Sequence, residues 1–446
     1  MSVREAGSQR KAKLCLTRRR VRGRGGIDRS ADAGPGDNPA AWRKFRKVPN
    51  PEAFAKYREV RSIGSDGGLL PLTVATQQGP AMPAATIATI DTIVLRLPLD
   101  TWAPPPQFAG KPRTHVDTLL VRVTTSGGVV GWGEAYGSSS PMIPVVFNSW
   151  IKHVAIGQDA TDQGLTARLE RLLHGFGRCG PVVHAISGLD IALWDIRGKL
   201  EGKPVSALLG GVRRKRVEAY ASLLQYGGSV EHVRRNVARA LERGYRHLKL
   251  HERTADAVAA ARDVAGPEIP IMVDTNCAWT ADQATAPVAA MAPSKPFWVE
   301  EPIWPPEDFD SLAVLRRATG VPLAMGENAT GVLDFQKMIS AGATDFVQPS
   351  VVKIGGLTNL WQVATEAEKA GVTCVPHAFF FGPGYLATLH AIAAKERAAP
   401  LERLFGDVGF TAYAKTVPVV DGAIDVPDGP GLGADPEEEL IERFRA

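Results

Sequence analysis

From Val217 onward the chain repeats one pattern: a short β-rich run, a polar turn and an amphipathic helical segment. The β-rich runs lie at 217–223, 247–251, 270–276, 297–301, 322–327, 345–349 and 372–376, and residues 401–405 supply an eighth. Segments 232–243 and 357–370 are examples of the helices between them. Strands that alternate regularly with helices are typical of a parallel barrel, so this part of the chain is expected to form one.

Polar side chains end six successive strands of this predicted barrel. They are His251, Asp274, Glu300, Glu327, Ser350 and His377, with gaps of 23, 26, 27, 23 and 27 residues between them. Each gap has the length of one strand and helix unit, so the six side chains recur at the same structural position. Because the catalytic residues of such barrels lie at the carboxyl ends of the strands, we expect a ring of these side chains around the active-site mouth.

Asp274, Glu300 and Glu327 would end three adjacent strands. Three carboxylates held together repel one another unless a cation compensates them. Oxygen ligands with open coordination positions suit Mg²⁺, so the sequence predicts a magnesium site. The alternative is that barrel lysines or arginines pair with these carboxylates. Glu301 neighbours Glu300 and should point to the opposite face of its strand, with a structural role.

Candidate bases flank the predicted metal ligands. Lys249 and His251 are two residues apart on one strand, so both should face the barrel interior, and His377 comes from the other side of the acidic residues. A carboxylate substrate between them can lose the proton on its α-carbon while a metal stabilises the enediolate. The alternative is that the histidines are ordinary polar groups whose hydrogen bonds are satisfied within the fold.

Residues 83 to about 210 follow a different pattern. Ile87 to Pro98, Val116 to Thr124 and Gly128 to Tyr136 read as an antiparallel meander, and apolar residues at helical spacing follow from Ala185 to Leu200. We therefore expect a small α+β domain before the barrel.

The first 81 residues carry an excess of positive charge. They contain 17 of the 52 Lys+Arg residues and 7 of the 47 Asp+Glu residues, so the rest of the chain is acidic. With neither helical nor strand periodicity, this segment is expected to be a disordered basic extension, or not to be translated at all, with Met82 opening the protein. A nucleic-acid-binding arm and a twin-arginine export signal are the alternatives, and neither is favoured.

The cysteines and the hydropathy narrow the class of protein. Cys15, Cys179, Cys277 and Cys374 are far apart and form no CxxC pair, so a zinc ribbon is excluded and a disulfide framework is not expected. No apolar run reaches the length of about 18 residues that a membrane span needs. A reducing cytoplasm is therefore the expected location.

Several short motifs resemble the enolase superfamily, specifically its mandelate racemase branch. They are Asp190-Ile191-Ala192-Leu193-Trp194-Asp195, Gly198-Lys199 with Leu208-Leu209-Gly210-Gly211, Val273-Asp274-Thr275-Asn276, Val299-Glu300-Glu301-Pro302, Gly326-Glu327-Asn328, Lys353-Ile354-Gly355-Gly356 and Pro430-Gly431-Leu432-Gly433. The resemblance implies a (β/α)7β TIM-like barrel with an α+β N-terminal capping domain. It also implies one Mg²⁺ on Asp274, Glu300 and Glu327, removal of a proton next to a carboxylate, and a homo-oligomer.

Together, the charge pattern and the resemblance predict a division of the chain into four parts. The basic extension would cover residues 1–82, the capping domain 83–212, the barrel 213–410, and a segment that returns to the cap 411–446.

Two positions depart from the pattern of these relatives. Lys249-Leu250-His251 stands where many have Lys-x-Lys, so His251 takes the place of the usual base, and an imidazole suits that role near neutral pH. Ser350 stands where racemase-like members have the aspartate that pairs with the histidine at His377. A hydroxyl orients an imidazole but does not stabilise its charged form, so we expect His377 to act as an acid or hydrogen-bond donor.

Three further residues carry roles implied by the resemblance. Glu402 resembles a glutamate that contacts the substrate carboxylate, a role for which its pKa would have to be raised. Asn276 matches a position near substrate and metal. Trp102, in the cap loop 101–113 that would close over the substrate, is either a substrate contact or part of the cap core, as is Phe108.

These observations favour Mg²⁺-dependent dehydration of an acid sugar, a small-molecule carboxylate. Racemisation or epimerisation of a 2-hydroxy acid is the alternative, since two bases around one metal permit it. A non-catalytic metal-binding barrel is the alternative from another class. The clustered carboxylates count against it, because an unused site gains nothing from holding them together.

Overall fold

The computed structural model describes residues 85–108, 110–397, 399–408 and 417–446. The predicted basic extension, with its nucleic-acid and export alternatives, lies outside the described residues. In the described part of the chain, no helix has the length and apolar character needed to cross a membrane.

An antiparallel three-stranded sheet opens the described chain, with strand order β1-β4-β5. Its strands are β1 (Ile87–Pro98), β4 (His115–Thr125) and β5 (Val130–Ala135), and a two-stranded hairpin of β2 (Gln107–Phe108) and β3 (Lys111–Pro112) lies in the loop between β1 and β4. The helices that follow are α1 (Ile143–Val146), α2 (Lys152–Ala155), α3 (Leu165–Leu172), α4 (Pro181–Glu201) and α5 (Val205–Leu208). The three strands predicted for this region are confirmed. The predicted helix 185–200 is confirmed within α4.

Helix α4 packs unusually close to strand β5, and glycines make this possible. A Cβ atom at Gly133 would lie 1.8 Å from the carbonyl oxygen of Gly188, and one at Gly131 would lie 2.4 Å from that of Ala192. No side chain fits at those distances, so the sequence requires glycine there. Because α4 contacts neighbours on nearly all sides, it is buried along most of its length and reads as apolar rather than amphipathic.

Eight parallel strands then form the barrel in chain order, and the last strand pairs with the first. The strands are β6 (Arg216–Leu223), β7 (Leu248–Leu250), β8 (Ile271–Asp274), β9 (Trp298–Glu300), β10 (Leu323–Met325), β11 (Phe346–Val347), β12 (Thr373–Cys374) and β13 (Leu401–Phe405). The helices between them are α6 (Val230–Glu242), α7 (Ala255–Ala265), α8 (Ala281–Met291), α9 (Phe309–Thr319), α10 (Val332–Ser340), α11 (Leu357–Lys369) and α12 (Pro383–Ala394). The predicted (β/α)7β barrel is therefore confirmed, with each predicted strand in its expected place.

Two carboxylates of α4 connect the first sheet region to the barrel and to the end of the chain. Asp190 accepts hydrogen bonds from the backbone N–H and the hydroxyl of Thr358, at 2.9 and 2.6 Å, at the start of α11. Asp195 accepts from the N–H of Trp132 at 2.9 Å and from that of Leu432 at 2.8 Å. These bonds explain why acidic residues five apart occur in an otherwise apolar helix.

The C-terminal residues contact the first barrel strand and then return to the antiparallel sheet. Strand β14 (Ala423–Asp425) pairs antiparallel with β6, and helix α13 (Glu438–Phe444) packs on β1. The N–H of Ala446 donates to the carbonyl of Val94 at 2.9 Å, and Ile441 is buried beside Leu95. These contacts place the chain end against the antiparallel sheet.

Candidate active site

The three predicted metal ligands come together at the ends of neighbouring strands. Asp274 ends β8, Glu300 ends β9, and Glu327 follows β10 after Gly326. One carboxylate oxygen from each lies within 4.8 Å of the other two. We call these three residues the carboxylate cluster. Gly326 has a φ of +127°, and a Cβ there would lie 2.5 Å from the Phe335 ring, so the turn that presents Glu327 requires glycine.

Lys249 lies beneath the carboxylate cluster and not in an open position. Its side chain is fully buried, and its Nζ lies 3.0 Å from Asp274, 2.6 Å from Glu300 and 3.2 Å from Glu402. Although burial lowers the pKa of Lys249, these carboxylates raise it well above its usual value. These contacts make Lys249 a buried counter-charge, the lysine pairing that the sequence left as an alternative. Its role as a catalytic base stays a prediction.

The charges around the cluster leave room for a divalent cation. Besides its three members, Glu301 and Glu402 are buried there, while only Lys249 and Lys353 supply permanent positive charge by ion pairs with the cluster among the described residues. Burial and the charge of Asp274 raise the pKa of Glu300 well above its usual value. Burial, with Glu327 and Asp274, raises the pKa of Glu301 to about 8. Acidic residues that outnumber the lysines beside them form a site that a hard cation would stabilise, so these residues fit Mg²⁺.

His251 lies at the open side of Asp274. Its Nδ1 is 2.6 Å from the carbonyl oxygen of Leu223, and its Nε2 is 3.3 Å from Asp274 Oδ2. A carbonyl oxygen only accepts, so Nδ1 carries a ring proton, while Nε2 faces the Asp274 carboxylate.

His377 lies on the other side of the cluster and also turns its Nε2 toward a carboxylate. Its Nε2 is 3.1 Å from Glu327 Oε2, and its Nδ1 is 3.1 Å from the hydroxyl oxygen of Ser350. The pKa of Glu327 is below its usual value, because the charges of His377 and Lys353 outweigh the effect of burial, which acts to raise it. Glu327 is therefore a hydrogen-bond acceptor. Burial lowers the pKa of His377, which favours a neutral ring. The neutral ring therefore donates a hydrogen bond from Nε2 and accepts one from the Ser350 hydroxyl at Nδ1.

Ser350 and Glu402 support the site from below and do not reach the cavity. Ser350 is fully buried and its hydroxyl orients His377. Glu402 accepts from the Ser222 hydroxyl at 2.8 Å and from the N–H of Ala378 at 2.8 Å. Burial raises the pKa of Glu402, but Lys249 and His377 outweigh it and lower the pKa to about 2. The expected raised pKa and substrate contact of Glu402 are corrected accordingly.

Two residues after β8 and β9 turn toward the cavity through left-handed backbone. Asn276 has a φ of +46° and Glu301 a φ of +42°. Asn276 donates to Asp274 Oδ1 at 2.9 Å. Glu301 accepts from Asn328 at 2.7 Å, while its Oε1 has no hydrogen-bond partner in the part of the chain that the structure describes. Strand alternation placed Glu301 on the opposite face, and that expectation is wrong because the strand ends at Glu300.

A cavity of about 560 Å³ lies above these groups. His251, His377, Asn276, Glu301 and Glu327 line it from the barrel side. The other side is the cap wall, by which we mean residues 106–108, Arg113 and Tyr136. Phe108 belongs to this wall, which is where a residue that contacts the substrate would lie.

Trp102 does not belong to the cap wall. Its ring packs edge-on against Phe405 with centroids 5.2 Å apart, and it lies under the guanidinium groups of Arg239 and Arg243. The predicted substrate contact of Trp102 is therefore corrected to a packing role between the cap loop and helix α6.

Glu134 fixes the segment after His377 to the first sheet. This buried side chain on β5 accepts from the N–H groups of Phe381, Gly382 and Gly384, at 3.4, 2.9 and 3.0 Å. These groups form the N-terminus of α12, where a carboxylate is stabilised by unpaired N–H donors. No pattern in the sequence indicates this contact, because it depends on the tertiary packing of two distant segments.

Two family models match this chain. Residues 90–210 match the mandelate racemase / muconate lactonizing enzyme N-terminal domain, and residues 232–440 match the enolase C-terminal domain-like model.

Individual proteins agree with those models. A D-galactarolactone cycloisomerase of Agrobacterium fabrum is 33% identical over 380 residues, which cover 80% of this chain and 98% of that protein. A D-galactonate dehydratase of Klebsiella pneumoniae is 29% identical, over 78% of this chain and 94% of that protein. The crystal structure of a racemase from Streptomyces coelicolor A3(2) with bound magnesium is 27% identical, with a TM-score of 0.71, and covers 81% of this chain and 100% of that one.

Proposed function

This chain belongs to the mandelate racemase and muconate lactonizing enzyme family of the enolase superfamily, and we propose from its site that it dehydrates an acid sugar with the help of Mg²⁺. The observation that carries the proposal is the pair of histidines on either side of the carboxylate cluster. His251 is held by an Nδ1–H bond to a backbone carbonyl, and His377 is oriented by the hydroxyl of Ser350.

The cation would be held by Asp274, Glu300 and Glu327, whose oxygens are close enough to share one ion. When bound, Mg²⁺ supplies positive charge that stabilises a substrate carboxylate as its α-carbon becomes acidic. Asn276 restrains Asp274 through the amide hydrogen bond, and Lys249 holds Asp274 and Glu300 from below. The ligands are thereby fixed before a substrate arrives.

His251 removes the proton from the α-carbon. Its Nδ1–H bond to Leu223 fixes the ring and leaves Nε2 as the accepting atom. The electron pair of the broken C–H bond then moves into the substrate carboxylate, which becomes an enediolate.

His377 assists the departure of the β-hydroxyl group. Its Nε2–H donates a proton to that oxygen, which leaves as water, and the enol product rearranges to a 2-keto acid. Ser350 hydrogen-bonds the other ring nitrogen and thus positions His377. Because acid and base approach from opposite sides of the cluster, the hydroxyl and the proton would leave from opposite faces of the substrate.

The named relatives support an acid sugar as the substrate class. Two of them act, by their names, on D-galactarolactone and D-galactonate, and both are six-carbon sugar acids or derivatives of them. Racemisation is the alternative outcome, because a proton returned by His377 to the α-carbon would invert it. A homo-oligomer, cytoplasmic location and the four-part division of the chain stay predictions.

One experiment separates these outcomes. The purified protein is incubated with Mg²⁺ in D₂O against hexarates, hexonates, pentonates and smaller 2-hydroxy acids. Nuclear magnetic resonance follows α-deuteration, and semicarbazide detects 2-keto products. A 2-keto product is expected. Deuterium incorporation without loss of water would establish the racemase or epimerase instead, and Mg²⁺ binding with no reaction on any acid would contradict the proposed enzyme activity.

A further inference from the structure

The cap wall contains a positive charge that has no ion-pair partner among the described residues. Arg113 follows the β2–β3 hairpin and lines the cavity, with its backbone N–H bonded to the carbonyl of Pro106 at 2.8 Å. Its guanidinium carbon lies 4.8 Å from the Phe108 ring centroid and 4.9 Å from that of Phe379. The charged group is thus held between two aromatic rings and faces the cavity.

The nearest acid is already engaged elsewhere. Asp117 forms two hydrogen bonds with Arg96, at 2.9 and 3.0 Å, and accepts a third from the Ser140 hydroxyl at 3.2 Å. Within the described ranges, no carboxylate lies within ion-pair distance of the Arg113 guanidinium. Burial lowers the pKa of Arg113, which reflects the cost of keeping this charge away from water.

A partly desolvated guanidinium gains most from a carboxylate or phosphate, which it binds through two parallel N–H donors. The surrounding rings would reduce competition by water. The carboxylate cluster occupies the barrel side of the same cavity, so a substrate anchored there by one acid group extends its other end toward the cap wall.

We propose that Arg113 binds a second anionic group at the far end of the substrate, so that the preferred acid sugars are diacids of the hexarate type. This inference rests on the proposed function, since it takes the first carboxylate of the substrate to bind at the carboxylate cluster. It narrows the substrate class from sugar acids in general to those with an acid group at each end.

The test uses pairs of acids that differ only at the far end. D-Galactarate and D-glucarate carry a carboxylate at C6, where D-galactonate and D-gluconate carry a hydroxymethyl group. A third compound, 6-phosphogluconate, carries a phosphate there. We expect kcat/KM for the preferred diacid to exceed that of its monoacid by about 10-fold or more. Preference for 6-phosphogluconate would support the second anion but assign it as phosphate, and equal or better turnover of the monoacids would overturn the proposal.

Substitution of the arginine then identifies the residue responsible. Arg113→Met should lower kcat/KM for the diacid by about 100-fold, mostly through KM, and change that for the monoacid by less than about 3-fold. Arg113→Lys should retain part of the preference. The matched control is Lys111→Met, which removes a positive charge from the same hairpin at an exposed position outside the cavity lining. A preference that survives Arg113→Met would contradict the assignment. So would its loss in Arg253→Met, which replaces the other arginine that lines the cavity.

A binding measurement keeps this inference separate from the proposed reaction. Titration calorimetry with Mg²⁺ and the His251→Asn, His377→Asn double variant measures affinity without turnover. Tighter binding of galactarate than of galactonate, lost in a further Arg113→Met substitution, would support the second anion site even if the wild-type enzyme dehydrated neither acid. Equal affinities would overturn it even if the enzyme proved to be a dehydratase.

Discussion

The two sides of the cavity are built in different ways. On the barrel side, each charged group has several partners at short distance, as Lys249 does with Asp274, Glu300 and Glu402. On the cap side, Arg113 contacts two aromatic rings and has no acidic partner among the described residues.

This difference separates two tasks. The chemistry common to the family needs ligands and histidines fixed by strands and by buried hydrogen bonds, which hold them in place without substrate. Recognition of one particular acid needs groups that gain their partner from the substrate, and a hairpin in a loop can change without disturbing the strands. The predictions below test how far the barrel side is in fact independent of the cap.

The largest effect is expected from loss of a metal ligand. Glu300→Gln removes a carboxylate from the centre of the cluster and should abolish Mg²⁺ binding, with a loss of activity of about 10⁴-fold or more. Titration calorimetry with Mg²⁺ alone measures the binding, and Glu439→Gln on the exposed face of α13 is the control. Metal affinity retained in both Glu300→Gln and Glu327→Gln would show that the cluster is not the metal site.

The two histidines should differ in which step they lose. His251→Asn removes the accepting nitrogen, so both α-deuterium exchange and product formation should fall by about 10³-fold. His377→Asn removes the acid, so dehydration should fall by a similar factor while exchange in D₂O remains. Nuclear magnetic resonance in D₂O measures both rates on one sample. Equal loss of exchange in the two variants would contradict the assignment of base and acid.

The spacing of the strand ends made most of the barrel side predictable. Residues such as Asp274, Glu300 and Glu327 recur once per strand and helix unit, and their chemistry follows from their proximity. What spacing does not specify is the depth of a side chain. Lys249 faces the interior as expected, yet it lies below the cluster and is fully buried there.

The expectations for Glu301 and Trp102 differ from the structure because of loop packing and local backbone conformation. Glu301 turns into the cavity because its φ is positive, which the alternation rule for strands does not include. Trp102 and Arg113 belong to one loop, and only the packing of that loop on α6 and on the segment after β12 decides which of them lines the cavity. Such contacts join residues far apart in the chain, so a pattern in one segment does not reveal them.

The counter-charge under the cluster gives a smaller but separable effect. Lys249→Met leaves Asp274, Glu300 and Glu402 without their shared ammonium group, and removal of one partner from a buried ion pair costs about 3 to 5 kcal/mol. Because Mg²⁺ is also a cation, it should restore part of this loss. Thermal unfolding with and without Mg²⁺ measures the effect, and Lys203→Met, at an exposed pair with Glu201, is the control. A variant as stable as the wild type without metal would show that Lys249 does not compensate the cluster.

The smallest effect concerns Glu134, which connects the antiparallel sheet to the N-terminus of α12. Burial raises the pKa of Glu134 from a usual value of 4.5 to about 7, against backbone N–H groups that lower it. A carboxyl group whose pKa is higher in the folded state stabilises the fold at low pH and loses that contribution as pH rises through 7. Between pH 5 and 8 this amounts to about 2 kcal/mol.

Glu134→Gln tests this contribution, because an amide does not titrate. The variant should be less stable than the wild type at pH 5, since its NH₂ group faces the N–H donors of Gly382 and Gly384, and the difference should shrink as pH rises to 8. Melting temperatures of both proteins over this pH range measure the difference. If it instead grew with pH, the ionised carboxylate would be the stabilising form. The N–H groups of α12 would then outweigh the burial of Glu134.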